Sequence, residues 1–377
     1  MSDDALSAAL TDLRETARRA PDMAATLPPA LYHLESVHAL EQEKIFAREW
    51  LCLGRADELP APGQYRALEL VGEPLLLVRD ATGTLRVFSN ICRHRMSRLL
   101  SGTGKVKRIV CPYHAWAYDL EGRLVATQHM TEGFSPDGIC LPELKTEIWQ
   151  GFLFTTFAPE PAPLAPRLAE LSAHIAHYRV GAYQAGFQVE EVWDGNWKVL
   201  VENFTDAYHL SVVHAKTVAP ALPTRLSEMK EGGEAFSLFD QHRVPGSRFE
   251  HDDDYAPNNP DLSDEERLKV PLFAVFPTLL VSVSPERLFW VLAQPLGTQR
   301  IAVRWGIDTF PGLKPDDGAR AALLGKIRET FDAINQEDKD IVRQIRRNAE
   351  SRFAAQGPLS TKERPLINLA RYLARRL

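Results

Sequence analysis

The spacing of apolar residues changes along the chain and predicts two kinds of structure. Residues 35–50 repeat apolar positions every three or four residues, which is typical of an amphipathic helix. Residues 65–157 instead contain short apolar runs, such as 74–79 and 85–89, divided by turn sequences such as 119–122. We therefore expect a helical N-terminal segment followed by a small antiparallel β domain.

A proline-rich stretch at 159–166 separates this β domain from a second domain with mixed patterns. Proline donates no backbone hydrogen bond and stiffens the chain, so such a stretch suits a domain boundary. Residues 245–265, rich in Asp, Pro and Asn, have no periodicity and are predicted to be a surface loop. Strand-like runs lie at 187–193, 279–283 and 301–305, and helical patterns lie at about 196–211, 317–350 and 361–376.

These patterns predict an α+β protein in three parts. They are an N-terminal helical segment (1–50), an antiparallel β domain (51–160) and an α+β domain (161–377). An α+β fold is the simplest account of the last part, which we expect to have a central antiparallel sheet and C-terminal helices.

Composition narrows the possible partners. The 377 residues suffice for two domains with cores of their own, and a net charge of -6 disfavours nucleic acid or an anionic membrane as main partner. Nowhere do about 18 apolar residues run together, and the N-terminus lacks a basic region before an apolar core. We therefore expect a cytoplasmic protein.

Four cysteines occur, and two of them have histidines close by in the sequence. Cys52 and Cys140 stand beside leucines and are predicted to be buried apolar residues, since free cysteine is often buried. Cys92 and Cys111 lie near histidines at short spacing, which favours metal ligation over a disulfide framework.

The first candidate metal site combines Cys92-x-His94 with Cys111-x-x-His114. Each pair offers one thiolate and one imidazole, ligands that suit both iron and zinc, so a structural zinc site remains open on ligand type alone. Both pairs fall in loops of a β-rich region, without the helix that carries the histidines of a zinc finger. This setting favours iron.

Residues 111–124, together with Cys92-Arg-His-Arg upstream, closely resemble the cluster-binding loops of Rieske oxygenases. In that family the cysteines bind one iron of a 2Fe-2S cluster and the histidines bind the other, which raises the reduction potential. Ala115 stands where glycine is usual, and Met96 replaces a small residue. The resemblance implies that residues 51–160 form the Rieske domain and residues 161–377 a catalytic domain.

A second constellation lies within residues 197–214. Asp206 and His209 are three residues apart and would share a helix face, whereas His214, five residues further, would not. We therefore predict a distortion between the two histidines. Two histidines and a distant carboxylate would form the facial triad that holds ferrous iron.

This stretch resembles the iron-binding motif of Rieske oxygenases, Glu-Asn followed by Asp-x-x-His-x-x-x-x-His. The resemblance implies that His209 and His214 bind a mononuclear iron and that Asp338 is the third ligand. The nearby carboxylates that could be confused with Asp338 are Asp332, Glu337 and Asp340. It also implies that Asp206 bridges His209 and the partner subunit's His114 in a homotrimer.

The resemblance further implies a terminal oxygenase that uses dioxygen and electrons from a separate flavin or iron-sulfur reductase, with or without a ferredoxin. NAD(P)H would act only through that reductase, because no Gly-x-Gly-x-x-Gly fingerprint occurs. The branch that oxidises quaternary ammonium compounds is favoured, and an aromatic cage would suit such a cation. The candidate pocket residues are Phe204, Tyr208, Phe276, Phe289 and Trp290.

Other functions remain open on the sequence. Hydroxylation of aromatic rings by a dioxygenase, or O-demethylation, would also suit an apolar pocket. A Rieske electron carrier without oxygenase activity would need only the first site, and a zinc-stabilised binding protein would hold no iron at all. The two non-enzymatic alternatives differ from the oxygenase in the number of irons bound.

Overall fold

The computed structural model describes residues 2–247, 259–312 and 317–377, and these form two compact units. One unit contains Met1–Phe46 and Pro163–Leu377, and the other contains Ala47–Ala162. The first 46 residues, which the apolar pattern sets apart as a helical segment, therefore belong to the larger unit. Most of the predicted loop 245–265 lies outside the described residues.

The N-terminal part of the larger unit is helical. The long first helix was not predicted, although Ala9, Leu13 and Thr16 are buried at helical spacing along it. The predicted helix 35–50 begins at Glu35 but ends in a π-helical turn, Gln42–Phe46, four residues early. The helices are α1 (Ser2–Arg18), α2 (Ala30–His33) and α3 (Glu35–Glu41).

The smaller unit is the predicted antiparallel β domain. A seven-stranded sheet has the order β1-β10-β9-β4-β3-β2-β5, and a three-stranded sheet has the order β6-β7-β8. The strands are β1 (Leu51–Arg55), β2 (Gln64–Leu70), β3 (Glu73–Arg79), β4 (Leu85–Ser89), β5 (Thr103–Lys105), β6 (Ile109–Val110), β7 (Ala117–Tyr118), β8 (Leu124–Ala126), β9 (Glu143–Trp149) and β10 (Phe152–Thr156).

Two cysteines of this unit have different environments. Cys52 is fully buried in β1, as predicted. Cys140 is exposed, so its predicted burial is wrong. Its backbone forms an isolated bridge with Arg123, which places it at an edge with solvent beside it rather than in the core.

The C-terminal part of the larger unit is built on one antiparallel sheet. Its strand order is β11-β17-β16-β15-β14-β13-β12. Helices α6 and α8 pack against each other and against strands of this sheet. The elements are α4 (Leu164–Arg167), α5 (Ala169–His174), β11 (Gln184–Asp194), α6 (Trp197–Thr205), β12 (Ser227–Met229), β13 (Phe236–His242), α7 (Asp264–Arg267), β14 (Lys269–Val275), β15 (Leu279–Val283), β16 (Arg287–Pro295), β17 (Arg300–Thr309), α8 (Asp317–Asn348) and α9 (Leu366–Ala374).

The predicted fold class is confirmed, but the helices predicted at 196–211 and 361–376 are both shorter than expected, and the second spans Leu366–Ala374. A central antiparallel sheet and C-terminal helices follow the β domain, as the α+β prediction requires. The helix predicted at 196–211 ends at Thr205, because Asp206 adopts an extended backbone conformation. Within the described part of the chain, no helix is both long and apolar enough to cross a membrane.

Candidate metal centres

The two loops that carry the first constellation have the same backbone construction. In each, the amide four residues after the cysteine donates to the cysteine carbonyl at 3.1 Å, from Met96 to Cys92 and from Ala115 to Cys111. Each cysteine amide then donates to the carbonyl five residues ahead, at 2.9 and 2.8 Å. Met96 and Ala115 both have a φ of 57°, a left-handed conformation that favours glycine.

These loops bring the four predicted cluster residues into two layers. Cys92 and Cys111 are buried in the core of the β domain, whereas His94 and His114 are exposed. The two imidazole rings lie 4.8 Å apart between centroids. Tyr118 places its hydroxyl 3.4 Å from the sulfur of Cys92. Two sulfurs inside and two imidazoles outside fit the mixed ligation of a Rieske cluster.

The environment of Cys111 favours the thiolate that iron binds. Burial raises the pKa of this thiol, but hydrogen bonds outweigh the burial and lower the pKa below its ordinary value. The donors include the backbone amides of Tyr113 and His114 and the side chains of Cys92 and Ser97. The site is therefore suited to an anionic sulfur before any metal is considered.

The end of α6 positions the second constellation. Asn196 caps the start of this helix by accepting a hydrogen bond from the amide of Lys198. After Thr205 the chain leaves the helix, and His209 begins a short 3-10 turn. The structure therefore has a helix end before both histidines, and the predicted position of the distortion, between them, is wrong.

His209, His214 and Asp338 form a group whose possible ligand atoms all lie within 4.8 Å of one another. The Nε2 atom of His214 lies 3.1 Å from Oδ1 of Asp338, and the Nε2 atom of His209 lies 3.9 Å from the same oxygen. This oxygen is buried. Two imidazole nitrogens and a carboxylate on one side of a cavity fit the facial triad of ferrous iron.

The opposite nitrogens of both imidazoles are held by carboxylates. Nδ1 of His209 lies 3.0 Å from Asp206, and Nδ1 of His214 lies 2.7 Å from Glu337, which also accepts a hydrogen bond from Thr217 at 2.6 Å. Such contacts fix the tautomer and ring orientation, so that Nε2 of each ring is left for a metal. The contact between Glu337 and His214 could not be predicted from the sequence.

The other acidic residues of α8 that could be confused with Asp338 point elsewhere. Asp332 pairs with Arg328 at 3.4 Å, and Asp340 pairs with Arg343 at 2.8 Å, all at exposed positions. Glu337 contacts the ring nitrogen of His214 on the side away from Asp338. Asp338 is the acidic residue that the structure brings to both Nε2 atoms.

A cavity of about 1020 Å³, counting space that opens to solvent, adjoins the three residues. The surface that lines it is mostly apolar, as is usual for small-molecule sites. The residues that line it are Asn203, Phe204, His209, Leu210, His214, Val218, Leu222, Gln241, Arg243, Val270, Leu272, Ser282, Ser284, Arg287, Phe289, Ile327, Thr330, Phe331, Ile334 and Asp338.

Two of the five predicted pocket aromatics, Phe204 and Phe289, line this cavity, and three do not. Tyr208 is 58% exposed, because the helix ends before it and its side chain no longer follows Phe204 on one face. Trp290 alternates with Phe289 along β16 and donates to Asp308 instead.

The fifth predicted aromatic residue lies outside the cavity lining, whereas several residues that were not predicted belong to it. Phe276 is buried against Tyr372 and takes no part in the lining. Phe331, Arg243 and Arg287 line the cavity but were not predicted. The stripe of lining residues on α8, spaced three or four apart from 327 to 338, is a signal that could have identified Phe331.

A buried polar network lies beneath α6, outside the cavity. Burial raises the pKa of Glu202 to about 7, although a hydrogen bond from Tyr32 at 2.7 Å opposes this. The buried pair of Lys198 and Glu41, at 2.6 Å, lies in the same region and connects α6 to α3. This network anchors the helix from which the loop carrying both histidines departs.

Comparison with known protein families finds a match in each of the two units of the chain. Residues 49–145 match the Rieske 2Fe-2S domain, and residues 172–377 match the family described as ring hydroxylating alpha subunit, catalytic domain. The fold resembles the crystal structure of the quaternary ammonium Rieske monooxygenase CntA with L-carnitine, with a TM-score of 0.79 and 22% identity over 96% of this chain and 98% of the other.

Two curated relatives match about half of this chain. The glycine betaine monooxygenase oxygenase subunit of Chromohalobacter salexigens is 38% identical over 50% of this chain and 43% of its own length. The carnitine monooxygenase oxygenase subunit of Acinetobacter baumannii is 35% identical over 52% of this chain and 54% of its own length. The match thus spans about half the length of these relatives. Because the catalytic-domain family covers more than half of the chain, this protein belongs to the ring-hydroxylating alpha-subunit family and carries a Rieske 2Fe-2S domain.

Proposed function

We propose that this chain is the terminal oxygenase component of a multicomponent Rieske system. Cys92, His94, Cys111 and His114 would hold the 2Fe-2S cluster, and a mononuclear ferrous iron would be bound by His209, His214 and Asp338. The observation that carries this proposal is the second group: two Nε2 atoms and one buried carboxylate oxygen meet beside a small-molecule cavity. An electron carrier has no need of such a group.

When bound, the cluster would deliver electrons singly and the mononuclear iron would activate dioxygen. Asp206 and Glu337 keep the two imidazoles oriented through their Nδ1 atoms. The apolar side chains that line the cavity would limit the access of water to the reacting carbon of the substrate. By family resemblance, Asp206 would also accept a hydrogen bond from the partner subunit's His114, which makes a homotrimer part of this proposal.

The partners follow from the same proposal. Electrons would come from NAD(P)H through a separate flavin or iron-sulfur reductase, with or without a ferredoxin, and dioxygen would be the oxidant. A cytoplasmic location, where reduced nicotinamide is available, belongs to the proposal. The names of the two curated relatives, each an oxygenase subunit, support a separate reductase.

The substrate would be a small organic molecule that is hydroxylated or loses a group bound to nitrogen. The names of the two curated relatives favour a quaternary ammonium compound. The aromatic side chains of Phe204, Phe289 and Phe331 would suit such a cation. An aromatic substrate, for a ring-hydroxylating dioxygenase or an O-demethylase, would suit the same walls and is the second candidate.

Anaerobic purification with metal and sulfide analysis tests the class of protein. The oxygenase should contain about three irons and two acid-labile sulfides per chain and show the visible spectrum of a Rieske cluster. About two irons that do not increase on iron reconstitution would indicate an electron carrier. Zinc without colour would contradict both. Substrate-dependent oxygen consumption with a reductase would then test the activity itself.

A further inference from the structure

The part of the chain that carries the cluster residues differs in charge from the rest. The whole chain has a net charge of -6, yet residues 90–118 contain six Lys and Arg residues and no Asp or Glu. Three of the six, Lys105, Lys107 and Arg108, are exposed and form no ion pair with any described residue. Unpaired positive charge that is concentrated on a mostly negative protein attracts an acidic partner.

Buried neighbours hold these cations at the surface of the β domain. Val106 packs against the core that contains both cluster cysteines, and its amide donates to the carbonyl of Gly63 at 2.9 Å. Ile109 is fully buried in the same core. Lys107 and Arg108 lie between these two anchored residues and are exposed. The core that holds the cluster residues therefore also fixes the position of the cations.

The cations lie close to a cluster residue. Arg108 is three residues before Cys111, so their Cα atoms are at most about 11 Å apart. Val110, between them, is 45% exposed and leaves an apolar spot beside the charges. In protein complexes, charge of this kind guides the approach of the partner and raises the association rate. We refer to Lys105, Lys107, Arg108 and Val110 as the basic face.

Protection of a sheet edge explains only one of the three cations. β5 is the last strand of the seven-stranded sheet, and lysine on such an edge prevents pairing with another chain. Lys105 is the final residue of β5 and fits this role. Lys107 and Arg108 lie beyond the strand, before β6 begins at Ile109, so protection of the edge does not require them.

We propose that the basic face is the docking site for an acidic iron-sulfur protein that donates electrons to the Rieske cluster. One electron passes from the reduced cluster of the donor to the oxidised Rieske cluster, so the donor is oxidised and no bond is made or broken. This inference rests on the proposed function, which requires both a cluster and a separate reductase. In the proposed homotrimer His114 faces another subunit, so the donor needs a different approach to the cluster.

Two one-electron donors of opposite charge test the inference on the intact, iron-loaded protein without oxygen. One is an acidic plant-type 2Fe-2S ferredoxin, whose potential lies below that of Rieske clusters, and the other is the cationic radical of methyl viologen. Stopped-flow absorbance gives the second-order rate constant for reduction of the Rieske cluster by each donor. Because opposite charges raise association rates about 10- to 1000-fold at low salt, the rate constant with ferredoxin should fall at least 10-fold between about 0.02 and 0.3 M NaCl.

Charge reversal then assigns the effect to the basic face. At about 0.1 M NaCl, where charges are screened beyond about 10 Å, the double variant Lys105→Glu, Lys107→Glu should lower the rate constant with ferredoxin about 10-fold. The rate constant with methyl viologen should be unchanged or raised. The visible spectrum and the reduction potential of the cluster check each variant. If this variant does not fold, Lys105→Gln, Lys107→Gln makes half the change in charge, and the expected loss is about 3-fold.

Lys145→Glu is the matched control. Lys145 is an exposed lysine of β9 in the same unit and forms no ion pair with any described residue. The strands β4, β3 and β2 lie between β9 and β5, so about 19 Å of sheet separates the two sites. This distance exceeds the screening length, so the rate constant with ferredoxin should change much less than in the double variant.

The outcomes separate this inference from the proposed function. Absence of a salt effect with ferredoxin, an equal loss of rate with both donors, or an equal loss in Lys145→Glu would overturn the basic face as the docking site. Three irons per chain would leave the oxygenase proposal standing in each of these cases. Conversely, a salt-dependent rate that falls on charge reversal, in a chain with a Rieske cluster but no third iron, would support the basic face and contradict the oxygenase.

Discussion

Iron binding should depend very differently on the carboxylates of Glu337, Asp338 and Asp340, which lie close together on α8. Glu337→Gln weakens the hold on Nδ1 of His214, which Glu337 contacts at 2.7 Å, without removing a ligand atom. Loss of such a supporting contact typically lowers metal affinity 10- to 100-fold, or about 1.4–2.8 kcal/mol. Asp338→Asn replaces the buried oxygen that faces both Nε2 atoms, so it should abolish iron binding at this site.

Asp340→Asn is the matched control for both variants. Its carboxylate pairs with Arg343 at an exposed position, where ion pairs contribute little, so iron affinity should be unchanged. The assay is anaerobic titration of ferrous iron against a chelator, with the cluster spectrum as an internal standard for folded protein. If Glu337→Gln lost the iron completely and Asp338→Asn retained it, the assignment of the third ligand would be wrong.

Three further substitutions test other parts of the structure. Asp206→Asn should keep cluster and iron yet lose most turnover, because the acceptor at Nδ1 of the imidazole weakens; normal turnover would refute the proposed bridge. Tyr118→Phe removes the hydroxyl beside Cys92, so the reduction potential of the cluster, measured by redox titration, should fall; an unchanged potential would contradict that hydrogen bond. The pKa of Glu202 is raised from 4.5 to about 7, so its contribution to stability is complete below pH 4.5 and is lost as pH rises through 7. Glu202→Gln should remove this loss of stability, which amounts to up to about 3 kcal/mol. Melting temperatures of the original protein and the variant, measured between about pH 4.5 and 7, would show the difference. Parallel pH profiles would show that Glu202 is not the group responsible.

Local spacing explains why much of the fold and of the metal geometry could be predicted. Ligand pairs such as Cys92 and His94 are so close in the sequence that any turn between them keeps them together. The strand at 85–89 is likewise predicted by the apolar run that it contains, and in the structure this strand pairs with β3. Asp338 was reached through the family resemblance, because nothing local distinguishes it from Asp340.

The cavity could not be predicted as well, since its lining depends on where elements end and which face they turn inward. Phe289 and Trp290 are neighbours in one strand, so they face opposite sides of the sheet and could not both line the cavity. Tyr208 would have followed Phe204 on one face if α6 had continued past Thr205. Arg287 was missed because arginine is ordinarily expected at the surface.

The shared construction of the two cluster loops bears on the order in which the protein is assembled. Each loop is closed by its own backbone hydrogen bonds, and the amides beside Cys111 already favour its thiolate. Because these bonds use backbone groups, we expect each loop to close before a cluster is bound, so that the domain folds first and accepts a preformed cluster afterwards. A zinc finger differs, since its chain is ordered only when its metal arrives.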